Sequence, residues 1–138
     1  MKFTRGLVRT AGVVTAAVAL TIGAASTSSA ATARASCSTT GASGAMSINF
    51  GSPFDKMPVS LSVTDTSADG HHVRVRLVTQ KSDYNKVYWR WHSLTAGSGK
   101  SLSIDTSAQD NQGIYNAAVQ VARFEGDTML NSCTSNWA

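Results

Sequence analysis

From residue 46 onward the chain alternates. Met46-Ser-Ile48-Asn-Phe50, Val59-Ser-Leu61-Ser-Val63 and Val73-Arg-Val75-Arg-Leu77 each carry an apolar residue at every second position. That is the period of a strand with one face in a core and the other in water. The same rhythm runs through Val87-Tyr-Trp89-Arg-Trp91-His92 and Leu102-Ser-Ile104. It continues in Ile114 to Phe124, where Tyr115, Ala117, Val119 and Val121 share a face, and in Met129 to Trp137. Pro53 and Pro58 bracket a loop, and turn residues gather at Asp65–Gly70, Ser82–Asn85, Ala96–Lys100, Ser107–Gly113 and Glu125-Gly126-Asp127. Gly adopts positive φ at no steric cost, and Asp, Asn and Ser hydrogen-bond the nearby backbone, so these residues break the strands there. The pattern predicts an all-β chain of about seven strands at sandwich-like spacing, with no helical period in this region.

The N-terminus follows another rule. Lys2, Arg5 and Arg9 precede a small and apolar run from Ala11 to Ala25, and then a small polar stretch to Ala35. This is the layout of a secretory signal peptide, whose apolar part is too short for a membrane anchor. Small residues permit cleavage after Ala30, Ala33 or Ala35, and Ala33 is taken as the boundary. Arg34-Ala35-Ser36 before Cys37 lacks the aliphatic residue of a lipoprotein signal. The expected organisation is therefore a leader over 1–33, a flexible Ser/Thr/Gly-rich tail over 34–44 and a β-sandwich over 45–138. The protein is expected outside the cell.

Export changes the charge. The chain of 138 residues holds twelve basic and eight acidic residues for a net charge of +4, but Lys2, Arg5 and Arg9 lie in the leader. Nine basic residues then remain against eight acids, a net charge of only +1. Phosphate-backbone binding needs a concentrated positive field, so nucleic acid is a poor partner, and nothing holds the processed chain to a membrane. Two cysteines in an exported chain allow one disulfide, Cys37–Cys133.

Leu102-Ser-Ile104, then Asn111-Gln-Gly113-Ile-Tyr115, then Val119 and Val121 resemble the E–F region of immunoglobulin-like domains. The resemblance covers residues 87–124 and implies an antiparallel immunoglobulin-like β-sandwich. It implies a tyrosine corner at Tyr115 and a core tryptophan, Trp89 or Trp91, on the preceding strand. The sequence departs from that pattern at Asn111, where Asp is usual, and at Ala117, where a core cysteine would sit; Val59–Val63 has no cysteine either. The bridge is therefore expected to join the first and last strands rather than the two sheets.

Motifs for chemistry fail on inspection. Gly99-Lys100-Ser101 ends like a phosphate loop, but the first glycine would fall at Leu94 and a strand follows where a helix is needed. Asp65-Thr-Ser67-Ala-Asp69-Gly70 begins like a calcium loop, yet its twelfth position is Arg76. His71 and His72 point to opposite faces of a strand, and His92 is the third and last histidine. Glu125 is the sole glutamate, no G-x-S-x-G occurs, and the thiols are expected to be oxidised. No catalytic residue, metal site or cofactor is expected, and the protein is read as a non-enzyme.

One cluster remains. Tyr84, Tyr88, Trp89, Arg90, Trp91 and His92 crowd one strand and its turn. On a regular strand Trp89 and Trp91 share one face while Tyr88, Arg90 and His92 share the other. If the tryptophans face inward they are core, and Tyr88, Arg90 and His92 form an exposed row of the kind found in protein-binding hot spots; if they face outward, the two rings form a platform for sugar stacking. The expected function is a small, monomeric, non-catalytic binding protein for a glycan, cell-wall or protein partner outside the cell. The alternative is an inhibitor of a secreted hydrolase presenting Thr95–Lys100 or Ser107–Gly113.

Overall fold

The structure, a computed structural model, describes residues 30–138. Nine strands make two antiparallel sheets: β1 (Ala31–Thr39), β2 (Ala42–Phe50), β3 (Met57–Asp65), β4 (His72–Gln80), β5 (Lys86–Tyr88), β6 (His92–Leu94), β7 (Ser101–Ala108), β8 (Asn116–Glu125) and β9 (Thr128–Thr134). The first sheet has the order β1-β2-β3-β7. The second has β5-β4-β8-β9, and β6 pairs with β4 beyond the end of β5. The expected all-β sandwich is what the chain forms. All seven expected strands are present, one of them divided into β5 and β6.

Alternation builds the core. Met46 and Ile48, Val59, Leu61 and Val63, Val73, Val75 and Leu77, and Ala117, Val119 and Val121 face one another between the sheets and are buried. Fully burying each Val, Leu or Ile contributes about 1.5–3 kcal/mol. Gly44 lets the first sheet approach the second closely: a Cβ there would stand 2.6 Å from a Val121 methyl and 2.7 Å from the Ser62 carbonyl oxygen.

The leader expected over 1–33 lies, up to residue 29, outside the described residues. The segment expected as a flexible tail, 34–44, is ordered into β1 and the start of β2. Its low hydrophobicity conceals a strand, because Ala33, Ala35 and Cys37 alternate with Arg34, Ser36 and Ser38 and pack their small side chains on the core. The two-residue turn Thr40-Gly41 closes the hairpin, with Gly41 at φ +82°.

Cys37 and Cys133 form a disulfide with their Cα atoms 6.1 Å apart. Here too an expectation needs correction. The bridge does tie β1 to β9, but these strands lie in different sheets, so it also fastens sheet to sheet. β1, which the hydrophobic pattern does not announce, carries Cys37 in the sheet opposite β9.

Candidate functional site

The aromatic strand contains a β-bulge. Tyr88 pairs with Val78 and His92 with Val75, so the three residues 89–91 oppose the two residues 76 and 77. One residue is inserted, and an inserted residue exchanges the faces of everything beyond it. The two tryptophans therefore part company. Trp89 turns inward onto the core, its backbone N–H donating to the Leu77 carbonyl and its indole N–H to the Thr79 hydroxyl at 3.0 Å. Trp91 turns outward, beside Arg76. The expectation that they share a face fails for this reason, as does the expectation that Tyr88 and His92 do. No composition signal announces a bulge; the Trp-Arg-Trp run reads as plain alternation.

Outside the second sheet lies a second, thinner apolar layer. Val78, Ala118, Ala122 and Phe124 are buried there, although they face away from the inter-sheet core. Aromatic rings and arginine stems cover them. The Arg76 guanidinium lies between two rings, 4.5 Å from the Tyr88 centroid and 4.2 Å from that of Trp91, and its Nε donates to Gln120 Oε1 at 2.7 Å. Trp91 meets Phe124 edge-on at 5.4 Å; Arg74 sits 4.1 Å over the same Phe124 ring, and His72 stacks on it. At the other end Lys86 lies 5.7 Å from the Trp137 ring. Trp137 reaches this face because the C-terminal segment runs along β8, where Ala138 exchanges backbone hydrogen bonds with Ala117.

Two cations on this face stand apart from the acids. The ion pairs among the described residues are His71–Glu125, Arg74–Asp127 and Arg123–Asp69, so Arg76 and Lys86 have no carboxylate partner there. Burial lowers the Arg76 pKa, an effect the nearby Tyr88 partly opposes. Tyr88 is 52% exposed and presents the rim of the stack to solvent.

The remaining candidates lie elsewhere. Tyr84 is 78% exposed in the turn after β4 and adopts φ +65°, a backbone state that Tyr rarely takes. Arg90 and His92 are on the other side of the sheet, at the rim of a cleft with Trp89. Thus the six residues divide into a turn, an outer face and an inner cleft. Sequence reasoning missed Arg76, Arg74, Phe124 and Trp137 as members of the outer face. The alternation of β4 did send Arg74 and Arg76 outward, but their neighbours come from β8 and the C-terminal segment.

The motifs set aside for metals have structural partners. Asp65 is buried and its Oδ1 accepts the Ser67 N–H at 3.1 Å. Asp69 accepts the His71 N–H and pairs with Arg123 at 2.7 Å; the Arg123 hydrogen bond, then the His71 one, holds its carboxyl below the usual range. Among the described residues no group of three or more His, Cys, Asp or Glu is arranged to hold a metal ion. Tyr115 is 42% exposed and its backbone N–H donates to the Gln80 carbonyl.

Fold and site define a small disulfide-bonded β-sandwich with a cation–aromatic sheet face. Comparisons with protein-family models, curated proteins and solved structures found no match to the chain.

Proposed function

We propose that this protein is an extracellular, non-catalytic binding protein whose ligand lies along the outer face of the second sheet. The Tyr88–Arg76–Trp91 stack carries the reading. Aromatic rings offer flat apolar surface to the CH faces of sugars, and a guanidinium held between rings keeps its donors pre-aimed at hydroxyl or carboxylate oxygens. The row continues through Phe124, Arg74 and His72, along the sheet, which suits an extended ligand such as a glycan or cell-wall polymer better than a compact one. Arg76 and Lys86, without acid partners among the described residues, favour a ligand bearing negative charge.

The disulfide fits an oxidising compartment, and secretion through the N-terminal leader is part of the proposal. The immunoglobulin-like assignment belongs here too. β2, β3 and β7 in one sheet, with β4, β8 and β9 in the other, follow the connectivity of strands A, B, E and C, F, G. The exposed Tyr115 departs from a buried tyrosine corner, and Trp89 reaches the core from beside β4 rather than from β4 itself.

The test is depletion from solution. Purified protein is mixed with insoluble polysaccharides and cell walls, and the soluble fraction is read for the parent and for Trp91→Ala. Retention on one polymer, reduced at least about tenfold by Trp91→Ala while circular dichroism is unchanged, supports the reading; tenfold corresponds to about 1.4 kcal/mol. Retention that Trp91→Ala and Arg76→Gln leave untouched removes this face as the site.

A further inference from the structure

The two long sides of the sandwich are finished differently. On one, β1 packs across to β8 and β9 and the disulfide fastens it. On the other, β7 and the β5–β6 strand are both sheet edges, and a cleft of about 300 Å³ opens between them. That volume is at the small end of the range for small-molecule sites.

The cleft is built from two kinds of side chain. Leu61 and Leu77, each 3% exposed, form the floor, and Trp89, its indole tethered to Thr79, forms a wall. The register then asks for apolar residues at two more inward positions: residue 92, opposite Val75, and residue 106, opposite Val59. They are His92 and Thr106. Arg90, within the bulge, stands at the same rim, and no acidic residue lines the cleft. Polar and charged groups turned inward at a sheet edge also deter strand addition, so Arg90 and His92 protect this edge as well; the apolar floor and the open space of about 300 Å³ lie outside that task. Burial, and secondarily the charge of Arg90, lower the pKa of His92, so at neutral pH Arg90 is the single cation at the rim. It has no carboxylate partner among the described residues.

We propose that this cleft is a second binding site, separate from the outer face, for a small apolar carboxylate of about the size of a medium-chain fatty acid. The hydrocarbon part lies on Leu61, Leu77 and Trp89, and the carboxylate is held by Arg90 with the Thr106 hydroxyl and His92 beside it. An apolar pocket with a few convergent polar groups is the usual design of such sites, and a fork of guanidinium donors suits a carboxylate.

Octanoate is the probe, and amide NMR spectra of the purified, oxidised protein are the readout. Octanoate is expected to shift the Leu61, Leu77, Trp89 and Thr106 signals saturably. Arg90→Gln weakens it at least tenfold, 1-octanol binds at least tenfold less tightly than octanoate, and Thr106→Phe, which fills the mouth from an exposed edge position, abolishes it. Trp91→Ala leaves octanoate binding unchanged. Absence of saturable shifts overturns the proposal, as does equal affinity for 1-octanol or indifference to Arg90→Gln. A dispersed spectrum for each variant separates loss of the site from loss of the fold, and polymer depletion reports on the outer face independently.

Discussion

Trp89 and Trp91 stand two positions apart and do opposite work. Trp89 fills core space and satisfies the Thr79 hydroxyl, so Trp89→Ala is expected to destabilise the protein by about 2–4 kcal/mol, somewhat below a fully buried tryptophan because one face is open. Urea unfolding reads that loss directly. Trp91→Ala removes a ring from the outer layer and is expected to lower stability by less than about 1.5 kcal/mol, within the common range for single substitutions. His92 gives the same neighbourhood a pH signature. Its folded pKa lies below the ordinary 6.5, chiefly through burial and then through Arg90. The neutral ring thus contributes stability that is complete above the unfolded pKa and is lost as pH falls through the folded value. An NMR titration should place the His92 midpoint below 6.5, and Arg90→Gln should raise it only part of the way, since burial is the larger cause.

Among the elements, the bulge decides the most. Arg90 sits between two segments that are each in regular register with β4. Deleting Arg90 is expected to join β5 and β6 into one continuous strand with Trp89 still inward and Trp91 still outward. The melting temperature should then stay within a few degrees and polymer retention should persist, while octanoate binding is lost. A flipped Trp91, seen as loss of polymer retention in a folded deletion variant, would refute this account of the register. The element scale also separates what could be read in the sequence from what could not. β2, β3, β4, β7 and β8 announce themselves by strict alternation over a buried face, because period two is a geometric necessity there. β1 does not, since Ala33, Ala35 and Cys37 bury too little apolar surface to contrast with the serines between them. The bulge leaves no trace either. Its cause is which β4 residue each partner meets, a tertiary fact, so the crowding of six residues is legible in the sequence and their division among a turn, an outer face and an inner cleft is not.

At the scale of the whole molecule the disulfide governs. It spans 96 positions, so chain-entropy reasoning assigns it roughly 4–5 kcal/mol at most. Replacing Cys37 and Cys133 with alanine is expected to lower the melting temperature by more than about 10 °C, taking 4–8 °C per kcal/mol for a domain of this size, with calorimetry as the check. A drop of only a few degrees would mean that β1 holds its place by packing alone. If the proposed leader is removed, the position of the cut matters for the same reason. Cleavage after Ala30 leaves β1 whole, whereas cleavage after Ala35 removes more than half of it and leaves Cys37 near the new terminus.

The stapled side and the open side also set how the molecule moves. Two slabs riveted along one margin part most easily at the other, as the covers of a bound book do, and here the 95–100 segment between β6 and β7 ties that other margin at one end only. Small excursions of β7 from the β5–β6 edge would widen the cleft while the Cys37–Cys133 side stays shut. A guest could then enter and leave without the domain unfolding, and the rate of exchange would be set by the spine: reduce the bridge, and the same cleft would lose its hinge and with it the discrimination that a fixed opening imposes.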